Sequence, residues 1–367
     1  MRSGRINLIP RTLTLPSPLK GEGTECYNVA MGLLKTKRKI AINGFGRIGR
    51  AAFKIALGNK DIQIVAINDL TDPKTLAYLL RYDTVYGKFP LTVSATEKEL
   101  IVNKKKYPIF SQKDPAQLPW GELGVDVVIE STGFFTKQAD AAKHLKAGAK
   151  RVIISAPAKD NSTPTYVIGV NTKDGITEEI ISNSSCTTNC VSPVAAVMHS
   201  NFGIAKALMT TIHSYTADQM LVDGPHKDLR RGRAAAHNIV PTTTGAAIAT
   251  TKTIPDLDGK FDGISVRVPT ICGSLTDFTL LLKKDTTVED INNAFRKAAK
   301  SPLWKNVLTV SDEPIVSSDI IGNHHSAIVD LEFTQVVGGN LVKVLAWYDN
   351  EWGYSHRLIE LAEAMQI

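Results

Sequence analysis

Cys186 has the residue type and the position of a covalent nucleophile. It lies in Ser184-Ser-Cys-Thr-Thr-Asn189, between a strand-like segment at residues 179–183 and a helix-like segment at residues 187–199. A thiol at a helix N-terminus lies at the positive end of the helix dipole, which favours the thiolate. Because thiolates attack carbonyl carbons readily, this position predicts a covalent intermediate on sulfur.

A nucleophilic thiol needs a base, and His213 is the best placed of the eight histidines. It ends a strand-like segment at residues 207–212 and follows Cys186 by 27 residues, enough for a helix to run out and a strand to return. Spacing alone leaves a surface or structural role open for this histidine. Cys190, one helical turn beyond Cys186, is expected to be a small core residue.

Gly44, Gly46 and Gly49 form a G-x-G-x-x-G pattern between a strand-like segment at residues 39–43 and a helix-like segment at residues 50–57. The first glycine permits a tight turn, the second lets the backbone approach a diphosphate, and the third lets helix and strand come close. The helix N-terminus offers free N–H groups to that diphosphate. The pattern predicts a dinucleotide cofactor, and with Cys186 it predicts oxidation of an aldehyde through a thiohemiacetal.

Asp69 follows a second strand-like segment, residues 61–68, and lies twenty residues beyond Gly49. A carboxylate there can accept hydrogen bonds from both adenosine ribose hydroxyls and would repel a 2′-phosphate. The residue therefore favours NAD over NADP, with a turn or helix-capping aspartate as the structural alternative.

The remaining segments suggest two architectures in one chain. Strand-like residues 125–130 and 151–155 alternate with helical segments, which predicts an α/β fold with a Rossmann-type, doubly wound parallel sheet. Strand-like residues 277–283, 326–336 and 341–350 predict an α+β catalytic domain with a mixed or antiparallel sheet. The predicted domains are an NAD-binding domain at residues 37–185 and a catalytic domain at residues 186–350.

Composition excludes several other classes of protein. The 367 residues are 43% hydrophobic and 22% charged, and no apolar run approaches the ~20 residues of a membrane-spanning helix. Four cysteines are too few for a disulfide scaffold, and no His/Cys cluster has ligand spacing, so no metal is predicted. The net charge of +7 is concentrated in residues 1–39, and the remaining residues carry +1. We therefore expect neither nucleic acid nor a membrane as a partner.

Residues 1–36 differ from the rest of the chain. They hold several prolines and glycines without sustained periodicity, and Met31 is a second possible start. We interpret them as a disordered or mis-assigned extension, with a transit peptide as the alternative.

Four segments resemble the glyceraldehyde-3-phosphate dehydrogenase family: residues 43–49, 182–190, 213–216 and 347–353. The resemblance runs from about Lys37 to the C-terminus. It implies an enzyme that converts glyceraldehyde 3-phosphate to 1,3-bisphosphoglycerate with NAD and inorganic phosphate, through a thiohemiacetal and a thioester on Cys186. It also implies a cytoplasmic homotetramer, and a C-terminal helix at residues 351–367 that returns to the NAD-binding domain.

The resemblance also implies roles for individual residues. Cys186 is the implied nucleophile and His213 the implied base. Gly44, Gly46, Gly49 and Asp69 are implied contacts of the cofactor. The added cofactor contacts are Arg47, Ile48, Lys113, Ser131 and Asn350. The implied contacts of the substrate phosphate are Thr216, Arg231 and Arg267. The implied contacts of the attacking phosphate are Ser185, Thr187, Thr244 and Gly245.

Two alternatives to this function stay open. Erythrose-4-phosphate dehydrogenase has a similar cysteine motif but hydrolyses its acyl-enzyme. From a different class, the chain could be a nucleotide- or RNA-binding module without catalysis. Arg230, Arg231 and Arg233 could instead lie in a solvated loop or form an intersubunit contact.

Overall fold

The computed structural model describes residues 37–367, so the prediction for residues 1–36 lies outside the described part. The α-helices are α1 (Arg47–Leu57), α2 (Pro73–Arg81), α3 (Trp120–Leu123), α4 (Gln138–Lys146), α5 (Cys186–Phe202), α6 (Ala246–Thr253), α7 (Val288–Lys300) and α8 (Trp352–Ala364). The first ten strands are β1 (Arg38–Asn43), β2 (Ile62–Asn68), β3 (Tyr82–Asp83), β4 (Gly87–Lys88), β5 (Val93–Ala95), β6 (Glu99–Val102), β7 (Lys105–Phe110), β8 (Val127–Glu130), β9 (Arg151–Ile154) and β10 (Ile180–Ser182). The other strands are β11 (Ile204–Ser214), β12 (Val240–Thr243), β13 (Phe261–Val268), β14 (Ser274–Leu282), β15 (Leu308–Ser311), β16 (Ala327–Val337) and β17 (Leu341–Tyr348).

The first sheet has eight strands in the order β10-β9-β8-β1-β2-β7-β6-β5. Pairings from β10 to β7 are parallel, which confirms the doubly wound α/β fold. The chain runs outward from β1 in both directions, so the order reverses between β1 and β8. Ligands of such sheets bind at this switch point, beyond the carboxyl ends of the strands.

One edge of this sheet is antiparallel, which the sequence reasoning did not predict. Strands β5, β6 and β7 pair as a meander. The turn between β6 and β7 is made by Asn103 and Lys104, whose φ angles are 47° and 67°. Two left-handed residues suit the twist of a two-residue hairpin loop, which explains why so short a connection closes here.

Both faces of the first sheet are covered. Ile40, Ile42 and Ile129 lie in one apolar core, while Ala41 and Val128 lie in the core on the opposite face. Helices α1 and α8 contact each other on the first of these faces. Strands buried on both faces need continuous apolar sequence, as β1 and β8 have.

The second sheet has seven strands in the order β12-β13-β11-β14-β17-β16-β15. It is mixed, as predicted, because β11 pairs with β13 and β15 with β16 in parallel, whereas the other pairs are antiparallel. Helices α5, α6 and α7 cover one face with a second apolar core.

Two helix boundaries differ from the sequence expectation in ways that affect the site. Helix α1 begins at Arg47, three residues earlier than expected, so Ile48 and Gly49 are helical. Helix α5 begins at Cys186 itself, with Ser185 as its N-cap. No helix of residues 37–367 is long and apolar enough to cross a bilayer.

Candidate active site

Cys186 follows a strained turn that connects β10 to α5. Ser184, two residues before the thiol, has a φ of 54°, a left-handed conformation that is uncommon for serine. Its hydroxyl donates to Thr188 Oγ1 over 3.0 Å, and its carbonyl oxygen accepts from Tyr354 of α8 at 2.9 Å. Partners from two helices therefore hold the turn in a conformation that alone would be unfavourable.

The same turn is fixed from inside α5. The Asn189 amide donates to the carbonyl oxygens of Asn183 and Ser185, over 2.8 and 3.0 Å. Ser185 Oγ accepts from the backbone N–H of Thr188, closing the N-cap. The half-buried thiol is thereby presented at the first helical residue.

The structure brings Cys186 and His213 together. Sγ lies 3.4 Å from Nε2, although the two residues come from the start of α5 and the end of β11. His213 Nδ1 lies 2.6 Å from the carbonyl oxygen of Ser214, and a carbonyl oxygen can only accept. The ring proton is therefore on Nδ1, and the lone pair of Nε2 faces the thiol.

Arg267 completes this cluster from the neighbouring strand. The parallel register of β11 and β13 places Arg267 beside His213, and its Nη1 donates to the Ser214 carbonyl oxygen over 3.1 Å. Nη1 is also 3.0 Å from His213 Nδ1, but that nitrogen carries a proton in the tautomer above. The contact is therefore not a hydrogen bond, and the guanidinium acts on the ring through its charge.

Burial governs the electrostatics of the pair. It lowers the pKa of His213 to about 3, and the charges of Arg267 and Arg231 act in the same direction. It also raises the pKa of the Cys186 thiol, while Arg267 and hydrogen bonds from the start of α5 act against that rise. The expectation that the helix N-terminus alone would favour the thiolate was incomplete, because burial opposes it. Proton transfer to Nε2 instead creates two opposite charges in contact, and each stabilises the other.

The glycine pattern forms a cradle at the switch point of the first sheet. A Cβ on Gly49 would lie 2.0 Å from the Gly44 carbonyl oxygen, so only glycine allows α1 to approach β1 this closely. Gly44 has a φ of 92°, and a Cβ there would meet the backbone of Ser131 and Thr132. Around Gly46 nothing lies within 4 Å of such an atom. Two glycines therefore serve backbone packing, and the third leaves space for a ligand.

A cavity of about 500 Å³ lies beside this cradle. Its lining includes five of the predicted cofactor residues, namely Gly44, Gly46, Asp69, Lys113 and Ser131. It also includes seven residues that the sequence reasoning missed, namely Asn43, Asn68, Leu70, Gln112, Thr132, Phe134 and Phe135. Leu70 follows the end of β2 by two residues and Phe134 follows the end of β8 by four, and both are large exposed apolar side chains.

Asp69 is oriented by the backbone around it. Its Oδ2 accepts from the N–H of Phe45 over 2.7 Å, and its Oδ1 from Thr71 over 2.8 Å. Each carboxylate oxygen has a second acceptor position, so these bonds orient the group without exhausting it.

The side chain of Arg47 is held by two acidic residues. It forms ion pairs with Asp83, over 2.9 Å, and with Glu351 at the start of α8, and it does not line the cavity beside the cradle. Arg47 and Ile48 are the first two residues of α1, so their backbone N–H groups lack partners within the helix. Any cofactor contact of these two residues would therefore come from the backbone.

Asn350 lies near the thiol cluster, held through its amide oxygen. Oδ1 accepts from Ser214 Oγ (3.0 Å), the Gly273 N–H (3.1 Å) and Ser274 Oγ (3.1 Å). Three donors on one oxygen fix the orientation of the amide and leave its NH₂ group for another partner.

The residues predicted to bind phosphate differ in how far their polar groups are already paired within the protein. Arg231 donates to Asp218 over 2.8 Å and to the Thr243 carbonyl oxygen over 3.1 Å, so its guanidinium is already partly paired. Thr187 shares a buried hydrogen bond of 2.9 Å with Tyr348. Thr216 lines a separate cavity of about 350 Å³, which Arg47 also lines.

Thr244 and Gly245 precede α6, where Gly245 is the N-cap and Thr244 Oγ1 accepts from the Ala246 N–H over 3.2 Å. A helix start with free N–H groups suits an anion. Among residues 37–367, no group of histidine, cysteine, aspartate or glutamate side chains is arranged to hold a metal ion.

The chain is similar over most of its length to known proteins. The family described as "Glyceraldehyde 3-phosphate dehydrogenase, NAD binding domain" matches residues 38–138, and the corresponding "C-terminal domain" matches residues 185–350. Glyceraldehyde-3-phosphate dehydrogenase of Priestia megaterium is 54% identical over 327 residues, covering 89% of this chain and 97% of the relative. The protein of that name from Geobacillus stearothermophilus is 54% identical over 88% of this chain and 97% of its own length. The chain belongs to the glyceraldehyde-3-phosphate dehydrogenase family.

Proposed function

We propose that this chain oxidises glyceraldehyde 3-phosphate to 1,3-bisphosphoglycerate with NAD and inorganic phosphate, using Cys186 as nucleophile and His213 as base. The observation that carries the proposal is the 3.4 Å contact between Sγ and Nε2 at the start of α5. Members of the family share an NAD-binding domain, and this chain has it.

The residues at the switch point fit NAD. Gly46 leaves open space, the start of α1 offers N–H groups to a diphosphate, and Asp69 has acceptor positions for ribose hydroxyls. In this proposal Gly44, Gly49 and Ser131 shape the cradle, while Arg47 and Ile48 contribute backbone donors. Lys113, Leu70 and Phe134 line the adenosine side, and Asn350 donates its NH₂ group to the nicotinamide carboxamide. NAD, when bound, supplies the acceptor for the hydride that the substrate loses.

The first half of the reaction forms a thioester. His213 Nε2 takes the proton of the Cys186 thiol, and the sulfur forms a bond to the aldehyde carbon. Protonated His213 then returns this proton to the former aldehyde oxygen, which becomes the hydroxyl of the thiohemiacetal. When the hydride leaves that carbon, His213 takes the hydroxyl proton, and a C=O bond re-forms as a thioester on Cys186. Burial lowers the pKa of His213 and keeps the ring neutral at neutral pH, and the thiolate formed beside it stabilises the proton that it accepts.

The second half releases the product. An oxygen of inorganic phosphate attacks the thioester carbon, the C–S bond breaks, and the sulfur leaves as thiolate, which gives the acyl phosphate. Charge-assisted donors must hold both phosphate groups. We assign the substrate phosphate to Arg231, Arg267 and Thr216. We assign the attacking phosphate to Ser185, Thr187, Thr244 and Gly245, with the start of α6 as its main donor.

We also propose the domain division stated above, with residues 37–185 for NAD and residues 186–350 for catalysis. A homotetramer in the cytoplasm, which the family resemblance implies, belongs to the same proposal. The outer face of the second sheet supports self-association, because it exposes Leu208, Ile264, Leu281, Phe333 and Leu341. A concavity of about 1050 Å³ lies on this part of the molecule and includes none of the predicted site residues. Sedimentation velocity tests this part, and a monomer at micromolar concentration would contradict it.

A spectrophotometric assay tests the reaction itself. NADH formation is measured with glyceraldehyde 3-phosphate and NAD or NADP, each with and without inorganic phosphate. We expect turnover with NAD that depends on phosphate. Turnover with erythrose 4-phosphate that is independent of phosphate would favour the hydrolysing dehydrogenase. Lack of NADH formation under every condition would reject the proposed function.

A further inference from the structure

Glu130 is a buried carboxylate that the proposed mechanism does not use. It ends β8, and the strand register pairs it with Asn43, which ends β1. The two side chains, 2% and 1% exposed, therefore lie on either side of the switch point. At this position two parallel strands diverge so that the crevice can hold a ligand.

Four donors converge on the Glu130 carboxylate. The Thr132 N–H donates to Oε1 over 2.8 Å, and the Thr132 hydroxyl donates to the same oxygen. Asn43 Nδ2 donates to Oε2, and His144 Nε2 lies 3.0 Å from it. Because a carboxylate has about four acceptor positions and no proton to give, this environment matches the ionised group.

The tautomer of His144 supports this assignment. Trp120 Nε1, which can only donate, points at His144 Nδ1 over 3.0 Å. The ring proton of the neutral histidine therefore lies on Nε2, where it donates to Glu130. Both residues are buried, so the bond is shielded from water.

The network continues under the cofactor cavity. Asn43 Oδ1 accepts from Asn68 Nδ2 over 2.7 Å, and Asn68 Oδ1 accepts from the Gln112 N–H over 2.9 Å. Asn43, Asn68, Gln112 and Thr132 all line the 500 Å³ cavity. One carboxylate thus connects the ends of β8, β1 and β2 to the loop after β7.

We infer that Glu130 is a positioning residue for NAD: its carboxylate holds the crevice floor, from Thr132 to Gln112, in the geometry that binds the dinucleotide. The inference rests on the proposed function, because it concerns the same cofactor. An amide cannot replace the carboxylate here. In one orientation the NH₂ group of a glutamine at residue 130 would face the donors of Asn43 and His144, and in the other it would face the Thr132 N–H, so a buried donor is left unpaired either way.

The test is the affinity of full-length Glu130→Gln for NAD, measured by isothermal titration calorimetry. We expect the Kd for NAD to rise about tenfold, which corresponds to about 1.4 kcal/mol. At saturating NAD, kcat and the KM for glyceraldehyde 3-phosphate should stay within about twofold of the original values, because Cys186 and His213 are untouched. An unchanged Kd would overturn the inference, whatever happens to the melting temperature.

Asp330→Asn is the matched control. Asp330 is 1% exposed and accepts from Trp347 Nε1 over 3.0 Å, but it lies in the second sheet. This variant replaces a buried carboxylate away from the crevice by an amide, and it should keep its Kd for NAD. A similar rise in Kd for both variants would show that general destabilisation suffices, which would also overturn the inference.

Thr132→Val decides the question if Glu130→Gln does not fold. It keeps the side-chain shape and removes one of the four donors, so we expect a rise in Kd of about threefold. An unchanged Kd would count against the inference. The unmodified protein is titrated first, and a failure of that protein to bind NAD would reject the proposed function rather than the role of Glu130.

Discussion

The cofactor crevice and the thiol cluster are built in different ways. The crevice lies at the ends of adjacent parallel strands, and its shape comes from the backbone, since Gly44 and Gly49 leave no room for a Cβ. The thiol cluster consists of side chains from α5, β11 and β13, brought together by strand register over long sequence separations. A site shaped by the backbone can be recognised from a local sequence motif, whereas a site built from side chains depends on partners elsewhere in the chain.

The largest effect should come from the thiol cluster. Cys186→Ser replaces the thiol with an alcohol that is barely ionised at neutral pH, and we expect kcat to fall by about 10⁴-fold or more. The initial rate of NADH formation measures the loss. Cys190→Ala is the control, because Cys190 is a fully buried core residue of the same helix. Substantial activity of Cys186→Ser would reject a covalent mechanism at this residue.

His213→Asn should reduce kcat by about 10²–10³-fold, because it removes the general base. Since burial raises the pKa of the Cys186 thiol, loss of the neighbouring base should also slow alkylation of Cys186 by iodoacetamide at pH 7. His237, exposed in the loop before β12, provides the control His237→Asn. Equal alkylation rates in the unmodified protein, His213→Asn and His237→Asn would show that the contact with His213 does not activate the thiol.

Two alanine substitutions in the cradle should separate packing from binding. Gly49→Ala places a Cβ against the Gly44 carbonyl oxygen, so we expect the free energy of unfolding to fall by about 1–3 kcal/mol. Gly46→Ala meets no protein atom, so stability should hold while the Kd for NAD rises about tenfold. Urea denaturation and calorimetric titration of both variants test this. A stable Gly49→Ala, or an unchanged Kd for Gly46→Ala, would contradict a cradle built by backbone contact.

The smallest effect lies outside both sites. Burial lowers the pKa of His356 to about 4, and the neighbouring charges of Arg357, His324 and His325 act in the same direction. Between about pH 4 and 6.5 the unfolded chain binds a proton at this residue that the folded chain does not. The free energy of unfolding should therefore decrease as the pH falls through this window, and His356→Gln should reduce that slope. Urea titrations at several pH values measure it, and an identical slope in both proteins would contradict this cause.

The sequence was most informative where the backbone defines the structure. The α/β fold, the mixed second sheet and NAD as cofactor are confirmed. The antiparallel edge at β5–β7 was missed because its strands are only three to six residues long, too short to show a clear alternation.

Side-chain partners could not be predicted in the same way. The pairing of Arg47 with Asp83 and Glu351 depends on β3 and on the start of α8, both far from residue 47 in sequence. Sequence likewise gives the helix start beside Cys186 but not the burial that opposes the charge on its sulfur. The roles of individual phosphate residues stay predictions for the same reason, because they depend on where each side chain finds its partners.

The position of α8 affects how this chain can fold while it is synthesised on the ribosome. Arg38, at the start of β1, donates to the carbonyl oxygens of Ala362 and Met365, and Leu358 and Ile359 share the apolar core of β1. Multidomain chains commonly fold from the N-terminus as they are synthesised. Here the apolar core around β1 lacks part of its packing until residues 352–364 have been synthesised. That apolar surface therefore stays exposed on the nascent chain until α8 has emerged.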